Sequence, residues 1–109
     1  MRETLEKAAL TEAVYYILLA LHEPMHGYGI MQFVKEISRD RVTLGPGTLY
    51  GAINNMLSKG WIEGLASDED SRKKEYRLTP LGWQMLRFEV ERLEELLSNG
   101  KKIVGGHVS

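Results

Sequence analysis

The side chains able to do chemistry are few, and none is arranged for catalysis. There is no cysteine among the 109 residues, which removes disulfides, thiol nucleophiles and thiolate metal sites. His22 and His26 are four apart, but Pro24 lies between them. A proline there keeps the pair off a shared helical face, and no third ligand is evident. No nucleophile has a partner base, and there is no glycine-rich phosphate loop and no convincing carboxylate pair. Neither an enzyme, a cofactor nor a bound metal is expected. What remains is hydrogen bonding and charge. Gly47, Thr48, Tyr50, Gly51, Asn54 and Asn55 form a polar, uncharged set, and Arg72-Lys73-Lys74 with Arg77 forms a basic one. An asparagine amide can pair bidentately with adenine, and cations of this kind meet phosphate. An ordinary polar helix face and a solvated basic turn are the plainer readings of the same residues.

The formal net charge is −1, which by itself argues weakly against a nucleic-acid partner. Its distribution says more. Residues 1–34 carry −2, 35–60 carry +2, 61–70 carry −4, 71–87 carry +4 and 88–109 carry −1. A local basic face on a nearly neutral chain is compatible with this pattern, as is a surface of scattered charges. The Asp68-Glu69-Asp70 run sits beside the basic segment, so Arg72 to Lys74, rather than that acidic tip, is expected to meet a polyanion.

Positioning these residues requires a short series of elements. Leu10, Val14, Ile17 and Leu21 recur at helical period, predicting a helix over Thr11 to Leu21 with Thr11 as cap and Pro24 beyond its end. Residues 22–27 read as a turn. A second helix is predicted from Tyr28 to Arg39 on the stripe Ile30, Val34, Ile37. A third opens at Pro46 or Gly47 and closes at Lys59-Gly60. Its inner stripe is Leu49, Ala52, Ile53, Met56 and Leu57, which leaves the polar set on its outer face. Trp61 to Leu65 and Glu75 to Thr79 read as two strands of a hairpin with a long tip.

A last helix is predicted from Pro80, capped by Thr79, to Ser98, ended by Asn99-Gly100. Trp83, Leu86, Val90, Leu93 and Leu97 are spaced three, four, three and four, a heptad seam. Leu81, Met85 and Phe88 make a second apolar row. Two rows need two covers, so Leu86, Val90, Leu93 and Leu97 are expected to pair with a second copy; packing entirely within one domain is the alternative. Tyr15, Tyr16, Trp83, Met85 and Phe88 are candidates to line a pocket for a flat aromatic ligand, against the plainer reading that they fill the core. No apolar run approaches the roughly 20 residues of a membrane span. The polar, mixed-charge N-terminus is unlike a secretory signal, so a cytoplasmic location is expected.

The fold class expected is therefore mainly α with a small β-hairpin: a winged helix-turn-helix over residues 1–79, a dimerisation helix over 80–98 and a mobile tail over 99–109. The motifs carry a more specific likeness. Thr11-Glu12-Ala13 leading into Ile17-Leu18-Leu19-Ala20-Leu21, then His26-Gly27-Tyr28-Gly29-Ile30, Gly47-Thr48-Leu49-Tyr50, Lys59-Gly60-Trp61-Ile62 and Lys74-Glu75-Tyr76-Arg77-Leu78-Thr79-Pro80-Leu81-Gly82 resemble the PadR family of bacterial transcriptional regulators. The resemblance covers about residues 10–98 and looks like the compact subfamily with one C-terminal helix. It implies a homodimeric repressor on a partly palindromic double-stranded operator, in some members released by phenolic acids or cationic hydrophobic drugs. It also implies DNA contact from Thr48 and Tyr50. Two residues depart from the pattern: Gly51 stands where many members have proline, and Glu75 where an aromatic residue is common. A winged helix that binds protein instead of DNA is the alternative that the near-neutral charge keeps open.

Overall fold

The computed structural model describes residues 9–65 and 74–107. Helix α1 (Glu12–Ala20) begins where the Thr11 hydroxyl accepts the Val14 amide, 3.1 Å away. Its stripe points inward as expected, and Ile17, Leu18 and Ala20 are fully buried. The segment read as a turn contains a short strand, β1 (Met25–His26), which pairs with β3 (Glu75–Leu78). The hairpin is thus widened to a three-stranded antiparallel sheet of order β1-β3-β2, with β2 spanning Ile62–Gly64. Two residues are too short for an alternation signal, so only tertiary pairing defines this strand.

Helix α2 (Gly27–Ile37) starts one residue earlier than expected, because the His26 ring caps it: Nδ1 accepts the Gly29 amide at 3.1 Å. Helix α3 (Pro46–Ser58) has Pro46 in its first turn and ends at Lys59. Gly60 follows at φ +77°, a left-handed conformation in which a Cβ is strained. The core gathers Ile17, Leu18 and Leu21 from α1, Ile30 and Val34 from α2, Leu49, Ile53 and Met56 from α3, and Ile62, Tyr76 and Leu78 from the sheet. Each fully buried aliphatic side chain in it stabilises the fold by about 1.5–3 kcal/mol.

Helix α4 (Pro80–Gly105) is longer than the sequence predicts. Asn99 and Gly100, expected to end it, lie inside it, so 99–105 form helix where a tail was expected. A mid-helix glycine costs only about 1 kcal/mol, which does not stop a helix with twenty residues before it from propagating. Lys102 in the last turn also complements the negative end of the helix dipole. The entry to α4 is firmly built. The Thr79 hydroxyl accepts the Gly82 amide at 3.1 Å and donates to the Gly60 carbonyl at 2.6 Å. A Cβ at Gly82 would collide with the Trp61 carbonyl, so glycine is what allows α4 to press against the strand that follows α3.

Candidate nucleic-acid interface

Helix α3 turns Leu49, Ile53 and Met56 inward, and Gly47, Thr48, Tyr50, Gly51, Asn54 and Asn55 are all exposed. The expected outer face is therefore real, and nothing lies within 4 Å of a Cβ built at Gly47 or Gly51. Gly51 and Asn55 sit towards one edge, where they also border a groove lined by α1 and α4. The helix N-terminus has a further property. Thr11, His26 and Thr79 each cap their helices with a side chain, but Gly45 supplies no side-chain bond to α3. First-turn amides without a cap are open to an external acceptor such as phosphate.

Tyr50 does two jobs. Its ring is partly exposed, and its hydroxyl end lies against Gly27 at the start of α2, where a Cβ would collide with it. Burial, and secondarily the nearby Tyr50, push the Tyr76 phenol above its ordinary value of 10.0. Tyr50 thus spans from α3 to α2 and towards the sheet, so the residue expected to touch DNA also fixes the angle between the two helices. Tyr28, beside Gly27, was not singled out from sequence. It is 63% exposed, and its hydroxyl accepts from Gln32 Nε2 at 2.6 Å. The signal was present in Gly27-Tyr28-Gly29, where small neighbours leave a large polar ring uncovered.

Of the basic set, Arg72 and Lys73 lie outside the described residues. Lys74 is exposed, with Nζ 5.9 Å from the centre of the Tyr76 ring. Arg77 is paired across the hairpin with Glu63, Nε to Oε2 2.8 Å, in the register that sets Glu63 opposite Arg77. That pairing offsets its charge, so Arg77 has less attraction for phosphate than its sequence position implied.

The remaining expected sets are split by the fold. Leu86 is 5% exposed and belongs to its own core, which removes it from the expected seam. Val90, Leu93 and Leu97 stay exposed. The division has a simple cause: α4 lies on its own domain through Gly82, Met85, Leu86 and Glu89 and has left it by Leu93. Of the residues expected to line an aromatic pocket, Tyr15 and Tyr16 are half-buried with ring centres 6.0 Å apart, and Phe88 is half-buried. Trp83 is exposed and Met85 is buried. The cavity found among the described residues, of about 840 Å³, includes Met85 alone of the five. Beside Tyr15, Glu89 is buried at 4% exposure and held by Arg92 through two contacts of 2.9 and 2.7 Å.

An exposed polar helix face, an uncapped helix N-terminus and an adjoining hairpin are the parts of a winged helix-turn-helix. Residues 16–87 match the transcriptional regulator PadR-like family. The chain belongs to that family. It is 35% identical over 86 residues to a 37.1 kDa protein carried in transposon TN4556 of Streptomyces fradiae, covering 78% of this chain and 24% of that protein. The chain spans about a quarter of that relative's length. Among solved structures, RosR of H. salinarum is 31% identical with TM-score 0.64, covering 83% of this chain and 76% of that one. A PadR family transcriptional regulator of Eggerthella lenta is 27% identical with TM-score 0.65, covering 87% and 82%. A PadR family regulator of Clostridium difficile R20291 has TM-score 0.72 over 86% of this chain and 99% of that one; at 24% identity it shares the fold. The family to which residues 16–87 belong is one of transcriptional regulators. No described helix is long and apolar enough to cross a membrane.

Proposed function

We propose that this PadR-like protein is a homodimeric repressor that reads a partly palindromic operator with two copies of α3. The observation that carries the reading is the outer face of α3. It is polar, uncharged and exposed, and Gly47 and Gly51 leave its backbone uncovered. Such a face approaches base edges closely, with Asn54 suited to adenine and Thr48 to either kind of base edge. The uncapped N-terminus of α3 and Lys74 supply backbone contacts, joined by Arg72 and Lys73, which precede Lys74 in the chain. A helix without charge gains little long-range attraction for phosphate, so affinity depends on having two copies side by side.

The test is binding to duplexes from the protein's own promoter region across a salt series. Tyr50→Ala is expected to weaken operator binding at least tenfold with the dimer intact, because it removes a contact and the strut against Gly27. Lys74→Gln is expected to weaken all duplexes alike and to lower the salt slope by about 2 for the dimer, one per lost phosphate contact. Unchanged affinity in the Tyr50 variant would place the recognition face elsewhere. No binding to any duplex at low salt would leave the protein-binding winged helix as the reading.

A further inference from the structure

Gly64, the last residue of β2, is a glycine that its backbone does not require. Of the described glycines, Gly60 has a positive φ and Gly64 does not, so the conformation at Gly64 admits any residue. The space beside it does not. A Cβ built there falls 2.6 Å from Lys74 Cε and 3.2 Å from Lys74 Nζ, well inside contact. The Lys74 stem lies in the room that a side chain at Gly64 would fill. Gly64 is paired with Tyr76 across the hairpin, and Lys74 Nζ is 5.9 Å from the centre of the Tyr76 ring, at the outer reach of a cation–π attraction. Tyr76 is 8% exposed and belongs to the core. Lys74 thus folds along the inner face of the sheet.

That face looks towards the recognition helix. Tyr50 of α3 lies near enough to Tyr76 to influence its phenol. Glu75, next to Lys74 in sequence, takes the opposite face by strand alternation, as does Arg77, which is paired there with Glu63. The strand sends Lys74 to the side of α3 and keeps the carboxylates of Glu63 and Glu75 on the other side. We propose that Gly64 is a positioning residue for DNA binding: its missing side chain is the slot that aims the Lys74 ammonium at a backbone phosphate beside the edge that α3 reads. The inference rests on the DNA reading above, in which Lys74 meets phosphate, and adds what aims it.

Two physical consequences follow from the slot. An exposed lysine gives up rotamer freedom when it settles on a phosphate. A stem already laid across Gly64 has given up part of that freedom on folding, so less is lost on binding. Stability and binding also separate at this position. The atoms that a Cβ at Gly64 would meet are the far end of a flexible side chain, unlike the Trp61 carbonyl that faces Gly82. A methyl group at Gly64 therefore displaces Lys74 and leaves the fold intact, and alanine suits a strand better than glycine does.

Gly64→Ala, Lys74→Gln and the double variant test this, on a duplex from the protein's own promoter region and on an unrelated duplex of equal length, from about 50 to 200 mM salt. Gly64→Ala is expected to weaken binding to both duplexes by about three- to tenfold, because a phosphate contact carries no sequence information, with Tm not lowered. Added to Lys74→Gln it is expected to cost nothing more, since the two residues share one interaction. In the free wild type, a strong nuclear Overhauser contact is expected between the Gly64 α-protons and the Lys74 ε-methylene. Four results each overturn the proposal while leaving the DNA reading in place: wild-type affinity and salt slope in Gly64→Ala, the same loss in both backgrounds, a Tm that falls together with affinity, or no Overhauser contact. Wild-type binding by Lys74→Gln also overturns it, and Tyr50→Ala then decides the DNA reading. A wild type that binds no duplex at low salt removes that reading and this inference with it.

Discussion

Tyr15 shows how a single side chain records its surroundings. Burial raises its phenol above the ordinary 10.0, the negative charge of Glu89 raises it further, and Tyr16 adds a smaller push. The folded protein therefore holds this proton more tightly than the unfolded chain does. Stability is unaffected by Tyr15 below the unfolded value near 10 and falls as pH rises from there through the folded value. Tyr15→Phe removes the proton, so the fall in Tm between pH 9 and pH 11 is expected to be shallower in that variant than in the wild type. Equal slopes would mean that Tyr15 is not enclosed beside Glu89. The neighbouring Arg92 is shifted in the same direction. Hydrogen bonding to Glu89 holds its guanidinium more firmly protonated, against the smaller opposing effect of burial. None of this was legible from the sequence. Tyr15, Glu89 and Arg92 are far apart in the chain or look like routine helix charges, and only packing of α1 on α4 brings them together. The polar face of α3 was legible, because a period of 3.6 fixes which side chains share a side.

At the scale of elements, α4 is the hinge of the molecule's logic and Gly82 is its bearing. A methyl group there would strike the Trp61 carbonyl and press on Leu78, whose Cδ2 lies 3.1 Å from it. A backbone carbonyl cannot step aside as a flexible side chain can. Gly82→Ala is therefore expected to destabilise the fold by about 1–3 kcal/mol, the range for overpacking, seen as a lower midpoint in urea with little change in slope. A midpoint within error of the wild type would show that α4 does not press on the strand in this way. The sequence marked this glycine as part of a motif without giving its reason, since the carbonyl it accommodates is twenty-one residues earlier. Start signals were read well for the opposite reason: Thr11 and Thr79 act through amides three residues away, and Pro46 through its own ring. The end of α4 was misread because Asn99-Gly100 is a local signal for termination. A helix that projects clear of its domain with Lys101 and Lys102 following has no steric cause to stop there.

For the whole molecule, the long dimension of 60 Å against 37 and 21 Å reflects half a helix standing outside any core. An extended apolar helix is stable in water when something covers it, since most helical stability in proteins comes from tertiary packing. Assembly and DNA recognition are then one equilibrium. Leu93 is exposed on the apolar side of α4 expected to pair with a second copy, so in that reading each dimer covers two of these side chains. Leu93→Asp places two carboxylates there, which adds desolvation and like-charge repulsion to the loss of two apolar contacts. The variant is expected to be monomeric by sizing at concentrations where the wild type is dimeric, with Tm lowered but folding retained, because Leu93 contributes nothing to the protomer's own core. Its operator affinity is expected to fall at least a hundredfold, more than from Tyr50→Ala, since it removes the second recognition helix. A Leu93→Asp protein that stays dimeric would move the dimer contact away from this residue. One that is monomeric yet binds operator as tightly as the wild type would separate assembly from recognition.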